Sequence, residues 1–163
     1  MSTLASYFCR STSSIFLAIG VLLWSGMLTA LSQVMQPDAG SAAVASASVT
    51  PTRLRCEYRI DPLGVDSSHP RLDWILSANQ PAARGLSQTA YQILVASAPD
   101  LLAKDMGDLW DSSKTVSSSM SQIPYAGKAL AANQQCWWKV RVWDQSGGFS
   151  AWSPVAQWTM GVA

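Results

Sequence analysis

Hydrophobic and polar residues alternate along most of the chain from Arg53 onward. Leu54, Cys56 and Tyr58 alternate with charged neighbours, and residues 89–97 repeat the pattern with aromatic and aliphatic side chains on one face. Successive side chains of a β-strand point to opposite faces, so a period of two predicts strands with one buried face.

The same pattern, interrupted by residues typical of turns, predicts about seven short strands and little helix. The strands are predicted at residues 53–59, 71–76, 89–97, 109–112, 120–125, 135–144 and 155–160. Residues 100–107 are predicted to form a turn or two of helix, with Asp100 as N-cap and Gly107 as C-cap. No helix long enough to connect parallel strands is predicted, which excludes an α/β fold. The expected fold is therefore all-β, an antiparallel β-sandwich.

The segment 135–144 is the clearest predicted strand and has two different faces. The residues predicted to enter the core are Cys136, Trp138, Val140 and Val142. The residues predicted on the outer face are Trp137, Lys139, Arg141 and Trp143. Exposed cation–π pairs contribute about 0.5–1 kcal/mol. This outer face is predicted to be either a platform for a sugar or a partner, or a self-stacked surface that shields the sheet or contacts a neighbouring domain.

The charge distribution divides the 163-residue chain into a leader and one domain. Of the 21 charged residues, all but Arg10 and Asp38 lie in residues 53–163, as do seven of the eight Trp. We predict a signal peptide or signal anchor at 1–35, a flexible Ala- and Ser-rich spacer at 36–52, and the β-sandwich at 53–163.

The leader contains the apolar run IFLAIGVLLWSGMLTAL at residues 15–31, which is preceded by Arg10. Candidate cleavage sites of the A-x-A form end at Ala45 and Ala47. Cleavage predicts a protein exported to the periplasm, the exterior or the cell surface. An uncleaved run would instead be a membrane anchor, since its 17 residues are at the short end of a spanning helix.

Charge and composition exclude several function classes. Eleven Lys and Arg balance ten Asp and Glu, so nothing favours nucleic-acid binding. One His and three scattered Cys do not have the spacing of a metal site. The Ser-rich stretches lack a partner base, so no nucleophilic triad is predicted. The sequence predicts no metal and no cofactor.

Five motifs occur in series, followed by an Ala-Trp pair between serines. They are PRLDW at 70–74, QTAYQILVAS at 88–97, GDLWDS at 107–112, PYAGK at 124–128 and WWKVRVWD at 137–144, with SAWS at 150–153. This succession resembles the N-terminal fibronectin type III or immunoglobulin-like module of bacterial α-L-rhamnosidases, which are large multidomain glycoside hydrolases. The resemblance covers nearly all of residues 54–161.

The resemblance implies a non-catalytic role for this chain. In these enzymes a separate helical (α/α)6 barrel hydrolyses terminal α-L-rhamnosides with inversion, which requires two carboxyl groups roughly 6.5–9.5 Å apart. No barrel position matches this sequence, so no catalytic residue is predicted. Asp73, Asp108, Asp111 and Asp144 are predicted to be turn formers or solvated charges.

We therefore expect an accessory module of an exported rhamnosidase, present as a fragment or split-gene product, whose partners are the downstream domains of the same or a neighbouring chain. The alternative is a free carbohydrate-binding or adhesion sandwich that binds rhamnose-containing glycans, tethered to a membrane only if the leader stays uncleaved.

One position departs from the pattern of such sandwiches. Six residues after Leu130, where a Tyr hydroxyl usually bonds back to the backbone, this chain has Cys136. If the protein is exported, Cys56 and Cys136 could form a disulfide across the sandwich, which would close a loop of about 80 residues and contribute several kcal/mol. The alternative is two buried free thiols.

Overall fold

A computed structural model describes residues 47–162 as eight strands and one short helix. The elements are β1 (Val49–Cys56), β2 (Arg71–Ala78), β3 (Gln88–Ala96), α1 (Pro99–Ala103), β4 (Trp110–Asp111), β5 (Thr115–Val116), β6 (Ile123–Pro124), β7 (Gln135–Asp144) and β8 (Ala156–Thr159). Within residues 47–162, no helix has the length and apolar character needed to cross a membrane.

The strands form two antiparallel sheets. One sheet has the order β1-β2-β6. The other has the order β4-β3-β7-β8, and β5 also pairs with β3. The expected all-β antiparallel sandwich is confirmed. The two-residue strand β5 was not predicted, because so short a segment shows no periodicity.

The core lies between the two sheets and is rich in aromatic residues. Trp138 of β7 and Trp158 of β8 are both fully buried, and the ring of Trp158 meets Tyr125 edge to face at 6.0 Å. The four residues of β7 predicted to enter the core, Cys136, Trp138, Val140 and Val142, are all completely buried. Alternation therefore identified the inner face of the central strand correctly.

The first strand begins earlier than predicted. Thr50 and Thr52 already pair with β2, so the end of the predicted spacer 36–52 belongs to the sandwich, and the domain boundary at Arg53 is wrong. A β-bulge explains the error. Arg53 has a φ of 50°, and the register with β2 shifts between Thr52 and Arg55. The extra residue breaks the alternation, which hid the first half of the strand. Residues 1–46, with the predicted leader, lie outside the described residues.

The helix is also shorter than predicted. Its N-cap is Ala98, which makes no side-chain capping bond, and Pro99 occupies the first turn. Asp100 lies within the first turn instead of capping it, and Gly107 lies beyond the helix end at Ala103. Pro99 has its φ preset for the first helical turn, so the helix begins two residues before the start at Leu101 that a capping Asp100 predicts.

Candidate functional site

The outer face of β7 carries four large side chains that alternate with its core residues. Two further aromatic residues from segment 149–153 lie against them. We call these six side chains the cation–aromatic ladder: Trp137, Lys139, Arg141, Trp143, Phe149 and Trp152. The ladder is anchored at one end by an outer hydrophobic cluster of Leu94, Ala96 and Leu102, against which Trp137 and Trp152 pack.

Arg141 lies at the centre of the ladder. Its guanidinium carbon is 4.7 Å from the ring centroid of Trp152, 5.2 Å from that of Trp143 and 5.6 Å from that of Phe149. Its Nε and Nη2 donate to Gln92 Oε1 at 3.0 and 2.7 Å. A guanidinium can stack on rings while donating within its plane, so Arg141 is held by both kinds of contact.

Lys139 is buried rather than exposed. Its Nζ donates to the carbonyl of Leu102 at 2.5 Å, pairs with the carboxylate of Asp105, and lies 4.7 Å from the ring centroid of Trp152. A cation that binds carbonyls at the end of a helix stabilises that end. Lys139 therefore lies on the outer face of β7 without being exposed, because its ammonium holds α1 against the sheet.

Two serines explain why Trp152 faces the ladder. Ser150 and Ser153 each make a backbone hydrogen bond to β7, to Val142 and Val140 respectively, both at 2.8 Å. The Ser150 hydroxyl also accepts a hydrogen bond from the N–H of Val142, and the Ser153 hydroxyl accepts one from the N–H of Val140, both at 3.1 Å. These paired hydrogen bonds extend the sheet along the C-terminal half of β7 and place Trp152 over the outer face of that strand.

Three of the four aromatic rings of the ladder, those of Trp143, Phe149 and Trp152, are already occupied by cations. The ring of Trp143 has Lys114 Nζ 4.8 Å from its centroid in addition to Arg141. The ring of Trp152 has both Lys139 and Arg141 at 4.7 Å. A sugar platform needs a free ring face, so this arrangement favours the self-stacked alternative. Binding of a sugar at these rings stays a prediction.

Two of the carboxylates singled out in the sequence tie distant segments together. Asp144 accepts four hydrogen bonds, from the backbone N–H and hydroxyl of Ser48 and of Ser146. Burial acts to raise its pKa, but these bonds outweigh burial and hold the pKa of Asp144 far below its usual value. Asp108 accepts two hydrogen bonds from Ser97. Burial acts to raise the pKa of Asp108, but these bonds lower it overall. Asp144 is a turn former as expected, but it is buried rather than solvated.

The other two singled-out carboxylates lie on strands. Asp111 accepts bonds from Gln92 and from the backbone of Ser113, both at 2.8 Å, and so continues the hydrogen-bond chain that begins at Arg141. Burial raises the pKa of Asp73, against the opposing effect of Arg55.

The two cysteines of the domain are free thiols in the core. Cys56 lies on β1 and Cys136 on β7, in opposite sheets, and both belong to the same hydrophobic cluster. Burial raises the pKa of each thiol to about 12. The disulfide between them stays a prediction.

Tyr125 supplies the backbone tie that a corner tyrosine usually makes. Its buried hydroxyl donates to the carbonyl of Lys128 at 2.7 Å and lies 3.3 Å from that of Leu109. Burial raises the pKa of Tyr125 to about 12. Tyr125 lies eleven positions before Cys136. Although Cys136 lacks the usual hydroxyl, the loop at Lys128 is still held by the buried hydrogen bond from Tyr125.

No group of three or more metal-ligating side chains occurs among residues 47–162. The single His, His69, is exposed and its Nδ1 shares a hydrogen bond with the hydroxyl of Ser68 at 2.9 Å.

Comparison with known proteins decides the family. A family model described as the Rha78A-like N-terminal immunoglobulin domain matches residues 51–163. The chain belongs to this family. The resemblance to the N-terminal module of α-L-rhamnosidases is thereby confirmed.

The relatives of this Rha78A-like domain are much longer proteins. It is 44% identical over 106 residues to an α-L-rhamnosidase of Streptomyces avermitilis, covering 65% of this chain and 10% of that protein. It is 44% identical over 103 residues to one of Formosa agariphila, covering 63% of this chain and 11% of the relative. The chain thus spans about a tenth of the length of these curated relatives.

Solved structures show the same relationship. The domain superposes on the Streptomyces avermitilis α-L-rhamnosidase complexed with L-rhamnose with a TM-score of 0.64 and 42% identity, over 69% of this chain and 10% of that one. The corresponding values for the α-L-rhamnosidase of Dictyoglumus thermophilum are 0.65, 37%, 69% and 12%.

Sequence reasoning missed two members of the ladder, Phe149 and Trp152, and it missed Lys114, which lies over the ring of Trp143. Trp152 carried a usable signal, since serines flank it in a motif of the resemblance and could be expected to pair with the strand before it. Lys114 carried none, because it reaches Trp143 only through the pairing of β5 with β3.

Proposed function

We propose that this chain is the non-catalytic N-terminal accessory module of an exported α-L-rhamnosidase-type glycoside hydrolase, whose reaction is the inverting hydrolysis of terminal α-L-rhamnosides. One observation carries the proposal. The chain matches α-L-rhamnosidases over their N-terminal immunoglobulin domain, which accounts for 10–12% of their length.

The roles of three of the described carboxylates, those of Asp108, Asp144 and Glu57, support a structural module. A general acid of a glycosidase needs a raised pKa and access to the substrate. Asp108 and Asp144 have lowered pKa values because their oxygens accept hydrogen bonds from serines. Glu57 also has a lowered pKa, caused first by its hydrogen bond with Arg71, whose Nη2 lies 2.7 Å from Glu57 Oε2. These groups hold loops and strands together.

A direct assay tests the non-catalytic part of the proposal. The purified 163-residue chain is incubated with an aryl α-L-rhamnoside, with the Streptomyces avermitilis α-L-rhamnosidase as the positive control. We expect release of the aryl group at the rate of the blank. Hydrolysis above the blank that rises with the concentration of the chain contradicts the proposal.

Export is the second part of the proposal, and it is supported by the apolar run at 15–31 followed by two A-x-A motifs. The hydrogen bonds of Ala47 support the first of the two candidate cleavage sites over the second. Ala47 donates its N–H to the carbonyl of Phe149 at 3.0 Å, and its own carbonyl accepts from Asn79 at 2.9 Å. Cleavage after Ala45 preserves both bonds, whereas cleavage after Ala47 removes them.

We therefore expect the mature protein to begin at Ser46. N-terminal sequencing of the protein recovered from the exported fraction of a bacterial host measures this directly. Retention of Met1 on the recovered protein contradicts cleavage and favours the anchored alternative. A start at Ser48 supports export but contradicts the choice of site.

A further inference from the structure

Eight large apolar side chains are exposed among residues 47–162, and half of them lie along one edge of the sandwich. Four of them lie on or beside β8: Ile60, Leu63, Val155 and Val162, which are 68%, 80%, 49% and 75% exposed. We call these four residues the C-terminal edge. Exposed apolar residues that cluster on one surface, rather than lying singly, mark interaction sites.

Hydrogen bonds hold the two segments of the C-terminal edge together. The N–H of Thr159 donates to the carbonyl of Pro62 at 3.0 Å, and the N–H of Val65 donates to that of Thr159 at 2.9 Å. The N–H of Gly161 then donates to the carbonyl of Val65 at 2.8 Å. Residues 60–65 therefore run beside β8 as a fixed ridge, which places their exposed side chains next to the end of the last strand.

Clefts lie on both sides of this ridge. One of about 370 Å³ is lined by Val65, Asp66, Leu130, Met160 and Val162 among others. A second of about 420 Å³ shares Val65 and Asp66 with it and includes Leu63. A third of about 190 Å³ lies between Ile60 and Val155. The edge thus combines projecting apolar side chains with recesses that could receive those of another surface.

The relatives indicate which surface this is. In them the matched domain is N-terminal and makes up 10–12% of the polypeptide, so most of the protein follows the strand equivalent to β8. Each residue of a connection spans at most about 3.3–3.6 Å, which confines a closely connected next domain to the end of the sandwich where β8 ends. Interfaces between domains of one chain bury roughly 600–1,500 Å² and are partly polar.

We propose that the C-terminal edge is the docking surface for the polypeptide that follows this domain in an α-L-rhamnosidase. Ile60, Leu63, Val155 and Val162 form its apolar contacts, and the exposed residues Asp61 and Asp66 are the polar groups beside them. The inference rests on the proposed function and adds to it the surface through which the module acts.

The test uses a chimera in which this domain replaces the 44%-identical N-terminal domain of the Streptomyces avermitilis α-L-rhamnosidase. Thermal unfolding of the chimera is compared with that of the same chimera carrying Ile60→Asp and Leu63→Asp. The matched control is Val116→Asp. Val116 is 83% exposed, but it lies on β5, which pairs with β3 at the side of the sheet away from β8.

A docked module unfolds together with the enzyme, so the unsubstituted chimera and the Val116→Asp control should each show a single transition. The double variant should show two transitions, because the module then unfolds separately from the rest of the enzyme. The same substitutions in the 163-residue chain should leave its unfolding temperature unchanged, since both side chains are exposed there. A lowered unfolding temperature in that chain would assign the two residues to the fold itself and overturn the inference.

The outcomes separate the inference from the proposed function. If the unsubstituted chimera is no more stable than the enzyme without the domain, the accessory role itself is contradicted. If that chimera is stabilised but the double variant still unfolds in a single transition, only the docking surface is contradicted. Separation caused equally by Val116→Asp also overturns the assignment of the surface.

Discussion

The carboxylate of Asp144 accepts two hydrogen bonds from Ser48, one from the backbone N–H and one from the hydroxyl, each at 2.7 Å. The two residues are 96 positions apart, so this contact joins the first segment of the sandwich to the end of its longest strand. The same carboxylate binds Ser146 in the turn that follows β7. One buried charge thus orders both the start of the domain and a hairpin turn.

Asp144→Asn should destabilise the domain and change its response to acid. Because the pKa of Asp144 is lowered in the folded state, its contribution is fully present above the unfolded-state value of about 3.9 and is lost as the pH falls below it. Hydrogen bonds to a charged group are worth about 1.5–3 kcal/mol, so we expect a loss in that range at pH 7. Urea unfolding from pH 7 to pH 2 measures it, and the variant should lose less stability than the parent across that interval.

The control for this experiment is Asp100→Asn, at an exposed position in the first turn of α1. We expect it to follow the pH profile of the parent closely. Identical profiles for Asp144→Asn and the parent would show that the carboxylate contributes nothing through its charge.

Gly127→Ala should destabilise the domain through a steric clash. A methyl group at this position would overlap the carbonyl of Leu109, Cβ of Trp110 and the hydroxyl of Tyr125. The Leu109 carbonyl belongs to the backbone, and the Tyr125 hydroxyl is held by its hydrogen bond to the carbonyl of Lys128. Neither atom can therefore move independently. Overpacking of this kind costs about 1–3 kcal/mol. Chemical unfolding against Ala126→Ser, at the exposed neighbouring position, measures the cost, and equal stability of the two variants would contradict the clash.

Lys139→Met should release α1 from the sheet. Methionine keeps the aliphatic stem but leaves the carbonyl of Leu102 and the carboxylate of Asp105 without the buried ammonium. The Leu102 carbonyl keeps its hydrogen bond from the N–H of Asp105, and the Asp105 carboxylate is exposed, so the loss is that of a charged hydrogen bond, about 1.5–3 kcal/mol. Hydrogen exchange should show faster exchange at the amides of Lys104 and Asp105, which bond to carbonyls of α1.

Lys104→Met is the matched control, since Lys104 is exposed and adjoins the same helix. Its exchange rates should stay those of the parent. Unchanged exchange in Lys139→Met would mean that Lys139 does not hold α1 in place.

The thiols of Cys56 and Cys136 should react only after unfolding. Burial raises the pKa of both to about 12, so few thiolates form at pH 8, and both groups are fully enclosed. In a Cys9→Ser variant, iodoacetamide should leave the folded chain unlabelled and add two groups in denaturant. Rapid labelling of the folded chain would contradict the described burial. A non-reduced mass lower by two hydrogens, with no labelling in denaturant, would establish the disulfide instead.

The predictability of the fold varied along the chain for physical reasons. The strand β7 was predicted closely because every second residue from Cys136 to Asp144 is buried. The strand β1 was predicted only in its second half, because the bulge at Arg53 resets the alternation and Pro51 resembles a loop residue. A segment whose pairing depends on a partner strand rather than on its own period is not visible in local sequence.

The candidate site was predicted less completely than the fold. The faces of β7 follow from alternation, so Trp137, Arg141 and Trp143 could be placed together on one side. The burial of Lys139 could not be predicted in this way. It depends on α1 packing over the sheet and on Trp152 reaching Lys139 from a later segment.

The sequence by itself determined the all-β class, the inner face of the central strand and the family, because periodicity and motif order are properties of neighbouring residues. Only the tertiary structure decided that the rings of Trp143, Phe149 and Trp152 are occupied by the chain's own cations. It also decided that Asp144 is a buried tie to Ser48 and that apolar residues from two separate segments meet beside β8. Each of these relationships joins residues far apart along the chain, and their distance in space is set by strand pairing, which no local pattern encodes.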